Sequence, residues 1–312
     1  MKLLLNILFF LITVQSTPLI AETGTSGAAI LTRPLGSRSS AMGRAFTAIY
    51  GDPENVMYNP AGLNSNSKSI YFSYMNGLAG GGYSFSSFVF QINKLTVSPS
   101  FTTFNSSKID LNLSDGTTAS VTAESDKVFM LSAAYEISNS FTAGTSLKLT
   151  RIELAETASA SVINYDIGAI YKLTESFSVG SSILNNGKGI KFEDVEDKSP
   201  RIFRFGTAYK IELNPPNLLD RSVDLTYSDI TLTLDMEKQR DEKNKYQAGF
   251  EMNMQMPYDV FMSLRAGWLF NREDEGITFG FSVKGTKWNF GLGFESSKEF
   301  ESKRIFSISY QL

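Results

Sequence analysis

Apolar and polar side chains alternate through most of this chain. In its last residues, Arg304–Leu312, the apolar Phe306, Ile308 and Tyr310 alternate with polar positions. Successive side chains of a strand point to opposite faces, so this period of two predicts a half-buried strand. The same alternation recurs in segments 141–150, 163–173, 203–210, 246–255, 260–270, 277–283 and 288–294. The pattern therefore predicts an all-β protein.

Two all-β architectures produce this alternation, a water-soluble β-sandwich and a transmembrane β-barrel. The apolar face here carries Tyr, Trp and Phe near the segment ends, as an aromatic girdle would, and the opposite face mixes charges with glycine. About 245 residues follow Lys68, which at ~10 residues per membrane strand plus turns gives roughly 12 to 16 strands. These features favour an antiparallel transmembrane β-barrel over residues 69–312.

The start of the chain resembles an export signal. Met1-Lys2 is basic, Leu3–Val14 is nearly all apolar, and small residues follow up to Ala21. The apolar run is shorter than the roughly 20 residues that a membrane helix needs, although an uncleaved anchor is the alternative. We expect a signal peptide over residues 1–21 and a location in the outer membrane of a Gram-negative-type bacterium. Outer-membrane lipid and the barrel-assembly machinery would then be partners.

Residues 22–68 differ from the rest because they are rich in Gly, Ala, Ser and Asn and lack the period of two. Residues 39–49 suit a short helix with one apolar face. Asp52-Pro53-Glu54 is a helix-start signal, with a capping side chain, a proline in the first turn and an acid near the positive end of the dipole. Asn59–Gly62 is predicted to end that helix.

Composition excludes several kinds of chemistry. The chain has no cysteine and no histidine, which removes disulfides, Ser-His-Asp catalysis and His-ligated metals. The acids Asp166, Glu251 and Glu295 fall on separate predicted strands and suggest no catalytic pair. A net charge of −3 without a basic tract argues against nucleic acid as a partner. We expect no enzymatic activity, no cofactor and no metal site.

Long water-exposed loops are predicted where polar and charged residues interrupt the alternation. These loops are Asn105–Lys127, Asn186–Pro200, Glu237–Lys245 and Ser296–Lys303. Their charged runs are typical of solvated surface.

The N-terminal segment also carries an ordered set of motifs. Gly24–Ala29, Leu35–Arg38, Ala41–Ala48, Asp52 and Asn59–Leu63 occur in one order within about 40 residues. This order resembles the outer-membrane family grouped with PorV and PorQ, a relative of the FadL-like long-chain fatty-acid transporters. One departure is Arg44, which stands where glycine is common.

The resemblance implies a FadL-like barrel of about fourteen strands, with residues 22–68 as a short helical plug in the lumen. It implies a plug or gate motif at Asn59, Pro60, Ala61 and Gly62, and plug-anchoring candidates at Arg38, Met42, Gly43, Phe46 and Asp52. Asn-Pro sequences are also common turn formers, so the motif is alternatively a tight turn joining the plug to the first strand.

Two functions follow from this resemblance. The first is a plugged channel for uptake or export of hydrophobic or small amphipathic compounds. The alternative is a PorV-like component of type IX secretion, which binds cargo proteins and carries them to the cell surface.

Overall fold

The computed structural model shows a closed barrel of fourteen antiparallel strands, as predicted. It describes residues 27–33, 35–64, 68–77, 80–112, 117–192, 194–213, 227–272, 274–299 and 301–312. The predicted signal peptide, residues 1–21, lies outside the described residues. Among the described residues, no helix is both long and apolar enough to cross a membrane.

The strands are numbered in chain order. They are β1 (Ser69–Asn76), β2 (Gly82–Ile92), β3 (Leu95–Asn105), β4 (Lys108–Asn112), β5 (Thr118–Thr122), β6 (Glu124–Ser138), β7 (Phe141–Leu154), β8 (Ala158–Lys172), β9 (Phe177–Gly187), β10 (Ile190–Lys191), β11 (Glu196–Asp197), β12 (Ile202–Leu213), β13 (Tyr227–Gln239), β14 (Lys245–Met256), β15 (Val260–Phe270), β16 (Glu275–Lys284), β17 (Trp288–Ser297) and β18 (Lys303–Gln311). Two pairs, β4 with β5 and β10 with β11, form small separate hairpins, and the other strands form the barrel.

The first and last strands close the barrel. Ile70 is paired with Tyr310 and Phe72 with Ile308 in the antiparallel register of β1 and β18. Because the number of strands is even, β1 begins and β18 ends at the same end of the barrel. We call this the terminal end, and the opposite end, which carries the two small hairpins, the far end.

The outer surface of the barrel is apolar, and much of its interior wall is polar. The exception is an apolar patch where Phe85, Val89 and Met130 pack against the N-terminal region. Leu147 is 56% exposed and Ile163 is 59% exposed, whereas the residue that follows each of them, Lys148 and Asn164 respectively, is buried. A soluble sandwich has the reverse arrangement, with its apolar face buried between two sheets. The predicted faces of these strands are therefore confirmed, and the sandwich alternative is wrong.

Exposed aromatic side chains lie near both ends of the barrel. Tyr171 and Tyr209 lie near the terminal end, and Tyr246 and Trp268 near the far end, each with close to half of its surface exposed. Aromatic rings at these levels are typical of the girdles that mark membrane interfaces.

The predicted loops are shorter than expected. Within Asn105–Lys127 the chain forms the β4–β5 hairpin, and within Asn186–Pro200 it forms β10–β11. The segment Glu237–Lys245 is partly strand, since β13 continues to Gln239, and in Ser296–Lys303 β17 continues to Ser297. Polar composition alone could not separate these strand ends from loops, because their side chains face water at the barrel rim.

The described part of the N-terminal region, residues 27–33 and 35–64, packs inside the barrel, and we call it the lumenal segment. It contains one short helix, α1 (Ser37–Ala41), and 3₁₀ turns at Ala29–Thr32, Pro53–Met57 and Pro60–Leu63. It enters at the far end, where the amide of Gly27 donates to the carbonyl of Lys198. The chain then passes through the lumen and joins β1 at the terminal end.

Two expectations about this segment need correction. The predicted helix over residues 39–49 is wrong beyond Ala41, because Gly43 and Arg44 have left-handed φ values of 63° and 62°. Asp52 does cap a turn, accepting a hydrogen bond from the amide of Glu54, but the turn is 3₁₀ and ends at Met57. The motif at Asn59–Gly62 does not end that turn; it begins another.

Candidate functional site

The Asn59 motif forms a compact turn against the barrel wall. Asn59 is completely buried, and its Oδ1 accepts from the amide of Ala61 at 3.1 Å, which caps the 3₁₀ turn Pro60–Leu63. Its Nδ2 donates to the carbonyl of Thr47 at 2.8 Å and to that of Ala169 on β8 at 3.1 Å. One side chain therefore caps its own turn, ties two parts of the lumenal segment and joins the segment to the wall.

Glycines in the wall make room for this turn. A Cβ at Gly168 would lie 1.9 Å from Asn59 Oδ1, and a Cβ at Gly144 would lie 2.3 Å from the amide nitrogen of Ala61. Both separations are far below van der Waals contact. The motif therefore lies directly on the backbones of β7 and β8.

Arg38 joins the segment to a second part of the wall, at β14. Its Nε and Nη2 donate to the two oxygens of Glu251, at 2.8 and 2.6 Å, and its Nη1 donates to Asp52 Oδ2 at 2.9 Å. Glu251 also accepts from Arg265 Nε at 2.6 Å and is only 1% exposed. A paired fork of this kind is among the stronger polar contacts in proteins. The structure thus brings together two of the predicted anchoring candidates, Arg38 and Asp52.

The other anchoring candidates lie at the centre of the segment. Met42 and Phe46 are completely buried in a cluster that includes Tyr58, whose ring lies 5.5 Å from that of Phe46 between centroids. The amide of Gly43 donates to Thr278 Oγ1 on β16 at 3.0 Å. The positive φ of Gly43 suits glycine, because other side chains are strained there.

Arg44 makes contacts that the sequence did not suggest. Its guanidinium donates to Glu295 Oε1 at 3.0 Å and to both oxygens of Glu275 at 2.9 Å, and it also bonds Glu295 Oε2. These acids lie on β16 and β17 near the far end. The sequence contained one signal for this contact, namely that Arg44 stands at a position where glycine is common in the family that the segment resembles.

Two buried carboxylates hold backbone amides of the segment. Asp235 Oδ2 on β13 accepts from the amides of Phe46 and Thr47, both at 2.9 Å. Glu54 accepts from the amide of Ser39 at 2.7 Å and from the hydroxyl of Tyr71 on β1 at 2.6 Å. Neither acid belonged to the predicted site, because nothing in the local pattern links them to their partners.

The three acids considered as catalytic candidates are ion-paired. Asp166 lies 2.8 Å from Lys148, Glu251 bonds Arg38 and Arg265, and Glu295 bonds Arg44. Each of these three acids is therefore the ion-pair partner, on the barrel wall, of one or more cations.

Cavities lie on both sides of the lumenal segment. The far-end cavity has a volume of about 310 Å³ and is lined by Arg44 and Tyr58 of the segment and by Arg204 and Arg272 of the wall. At the terminal end, one cavity of about 360 Å³ borders Arg38 and Asp52, and another of about 300 Å³ borders Tyr50. The buried centre of the segment, around Met42 and Phe46, separates the two ends.

Comparison with known proteins shows which solved structures share this fold. No protein-family model matches the chain, and no curated protein sequence matches it. Solved structures do match over most of its length. The toluene transporter TodX of Pseudomonas putida has a TM-score of 0.55 at 12% identity, covering 88% of this chain and 97% of TodX.

Two further solved structures also match the fold of this chain over most of its length. The monoaromatic hydrocarbon channel CymD has a TM-score of 0.55 at 14% identity, covering 89% of this chain and 97% of CymD. A FadL homologue of Pseudomonas aeruginosa has a TM-score of 0.50 at 8% identity, covering 89% of this chain and 98% of the homologue. The chain therefore has the fold of the FadL-like outer-membrane barrels.

Proposed function

We propose that this protein is an outer-membrane channel for hydrophobic or small amphipathic compounds, with the lumenal segment as its plug. The observation that carries the proposal is the pair of cavity regions on opposite sides of the segment. A barrel of fourteen strands is wider than the eight-strand size that its own side chains can fill. Here the segment occupies that interior, and a solute crossing the barrel must pass it.

The contacts of the segment suit a movable plug. Apart from the backbone hydrogen bond of Gly27 with Lys198 at the far end, the described contacts of the segment with the rest of the barrel are hydrogen bonds that involve a side chain, ion pairs and apolar packing. Such contacts can exchange for others as a solute passes. In this proposal Asn59, Pro60, Ala61 and Gly62 form part of the gate against β7 and β8, and Arg38, Met42, Gly43, Phe46 and Asp52 anchor the plug.

The similarity to TodX and CymD supports the hydrophobic class of solute, since those proteins are a toluene transporter and a monoaromatic hydrocarbon channel. The polar side chains in the lumen could also bind the polar part of a small amphipathic solute. None of the proposed steps is catalytic.

A reversible crosslink tests whether the segment must move. Ser37 Oγ and Ser307 Oγ on β18 lie 2.5 Å apart, and the chain has no cysteine of its own. In a Ser37→Cys and Ser307→Cys double variant, oxidation would lock the segment to the wall. We expect oxidation to abolish uptake of radiolabelled toluene by cells that depend on this protein, and a reductant to restore it.

The two single cysteine variants are the matched controls, because each carries one substitution and cannot form the crosslink. Their uptake should not respond to the oxidant. Equal uptake by the oxidised and the reduced double variant, with the crosslink verified by mass spectrometry, would contradict a gated plug.

The second candidate is a PorV-like secretion component that binds cargo protein. It is favoured by apolar side chains on the two far-end hairpins, where Ile109 on β4 is 43% exposed and Val195 in the β10–β11 turn is 77% exposed. Such exposed side chains suit a protein partner. In this case replacing both with serine should abolish cargo binding, and the oxidised crosslink should leave it intact.

The proposal includes processing and location. Residues 1–21 would be removed as a signal peptide, residues 22–68 would form the plug and residues 69–312 the barrel in a Gram-negative-type outer membrane. N-terminal sequencing of protein from the outer-membrane fraction tests this. A folded soluble periplasmic pool would contradict it.

A further inference from the structure

Two cations lie side by side on the outer face of the barrel, near its far end. Lys127 on β6 is directly opposite Arg151 on β7 in the strand register, and both side chains are exposed. The residues before and after each of them in the chain are buried, so both cations point away from the lumen. Side chains that are directly opposite in an antiparallel pair have Cβ atoms about 4.5–5.5 Å apart, and like charges at this spacing are destabilising.

Hydroxyl groups extend this pair on both sides. Thr103 on β3 is opposite Lys127, and Ser161 on β8 is opposite Arg151. We call Thr103, Lys127, Arg151 and Ser161 the boundary row. All four side chains can donate hydrogen bonds, and none of them is a carboxylate. Because phosphate oxygens accept strongly from cationic donors, the row suits a phosphate group.

The two cations have no ion-pair partner within the described part of the chain. One acid, Glu153, lies on the same outer face, two residues beyond Arg151 towards the far-end rim. The register places Glu153 opposite Ser125 rather than opposite a cation. The repulsion between Lys127 and Arg151 is therefore open to relief by an anion from outside the chain.

An apolar row lies next to the boundary row, on the side of the barrel's middle. It runs across the same four strands, with each member opposite the next, and consists of Phe101, Phe129, Leu149 and Ile163. Their side chains are between 43% and 59% exposed. The outer surface thus changes from apolar to cationic within two residues of each strand, or about 7 Å. Such a change is typical of the level at which hydrocarbon meets lipid headgroups.

We propose that the boundary row binds the phosphate group of a lipid whose acyl chains lie on the apolar row. The two rows together favour a lipid over free phosphate, since free phosphate would use the donors alone. A phosphate monoester suits the row best, because its three oxygens can accept from several donors at once. The proposal goes beyond the passage of a solute. It rests on the proposed location of the barrel in a membrane and does not involve the lumen.

Two lipids that differ only in the phosphate test the proposal. Dioleoyl phosphatidic acid and dioleoylglycerol have the same acyl chains, and native mass spectrometry of the full chain in a neutral detergent would measure the binding of each. We expect the phosphatidic acid to bind about tenfold more tightly, and an equal concentration of inorganic phosphate to leave it bound. Equal binding of the two lipids would overturn the proposal, and displacement by inorganic phosphate would overturn the assignment to a lipid.

A double variant assigns the contact to the boundary row. Lys127→Gln combined with Arg151→Gln should abolish the preference for phosphatidic acid, and it should fold because it removes a like-charge pair. The matched control is Lys243→Gln combined with Lys298→Gln, which removes the same charge from two exposed lysines in far-end loops. An unchanged preference in the first double variant, or equal losses in both, would overturn the assignment to this row.

The lipid site and the channel fail separately. Crosslink-sensitive toluene uptake by a protein that binds both lipids equally would reject the lipid site and leave the channel standing. A preference for phosphatidic acid that depends on Lys127 and Arg151, in a protein whose oxidised crosslink leaves uptake unchanged, would support the lipid site and reject the gated plug.

Discussion

The side-chain oxygen of Asn59 occupies the space that a Cβ at Gly168 would need, since the two would be 1.9 Å apart. Gly168→Ala should therefore displace the turn that begins at Asn59 and lower the free energy of unfolding by about 1–3 kcal/mol, the usual cost of overpacking. Urea unfolding in detergent micelles would measure the loss.

The matched control is Gly276→Ala on β16, where the nearest atom to the new Cβ would be 4.0 Å away. This variant should unfold at nearly the same urea concentration as the original protein. If the two alanine variants were equally stable, the close seating of the motif on β8 would be refuted.

Glu251 forms ion pairs with two arginines, so its loss should be costly. Glu251→Gln would leave Arg38 and Arg265 with an unmatched charge inside the barrel, and breaking a buried pair typically costs about 3–5 kcal/mol. We expect a loss of this order in the free energy of unfolding. Glu175→Gln, an exposed acid in the turn between β8 and β9, is the control and should change stability by less than about 0.5 kcal/mol. Similar losses in both variants would argue against the Arg38–Glu251 anchor.

The lipid-facing surface can be tested at the middle of β7. Leu147→Arg would place a cation on the outer face near mid-strand, at an expected cost of about 2–4 kcal/mol in a bilayer. Val195→Arg, in the exposed β10–β11 turn, should cost little because that side chain faces water. Folding titrations in lipid vesicles would compare them, and an equally mild effect at both positions would contradict the assignment of the outer face to lipid.

Asp274 ties two far-end loops together. It accepts from the hydroxyl of Ser297 at 2.7 Å and from the amides of Lys298 and Glu299, both at 2.8 Å. These hydrogen bonds, that of Ser297 above all, lower the pKa of Asp274 below its ordinary value. A lowered pKa means that this stabilisation is present above the ordinary value and is lost as pH falls through the lowered one.

We therefore expect hydrogen-exchange protection of the Glu299 amide, corrected for intrinsic rates, to persist from neutral pH to below the ordinary aspartate range and then to fall. The Lys298 amide also donates to the main-chain carbonyl of Asp274 and should respond less. Asp274→Ala, which removes the acceptor, should reduce the protection of Glu299 at neutral pH, whereas Asp241→Ala in the β13–β14 loop should not. Protection of Glu299 that is unaffected by Asp274→Ala would show that the tie does not hold the loop.

The sequence predicted the parts of this structure that depend on local pattern. Alternation along residues 141–150 and 163–173 correctly predicted β7 and β8 with their faces, and the length of the chain bounded the strand number. Asp52 was recognised as a cap because its partner, Glu54, is two residues away. The helix predicted over residues 39–49 failed because the left-handed Gly43 and Arg44 ended it, which apolar spacing does not reveal.

The contacts of the lumenal segment were largely beyond prediction. Arg44 bonds acids that are 231 and 251 positions away in the chain. No local pattern identifies which lumenal acid will face which cation, because the pairing depends on strand register and on how the segment crosses the barrel. Nothing in the sequence distinguishes wall glycines such as Gly144 from other strand residues. Only the position of the Asn59 turn in the structure shows that a side chain at Gly144 would collide with it.

The large sequence separation of these contacts has a consequence for assembly. Ser37 contacts Ser307, and Arg44 contacts Glu295, so the beginning of the chain is held by strands that the ribosome makes last. A chain that stopped before β17 would lack Ser307, Glu295 and the strands that close the barrel, and of the two acids that bond Arg44 only Glu275 would remain. Seating of the N-terminal region is therefore a late event in biogenesis, and it distinguishes a full-length chain from a truncated one.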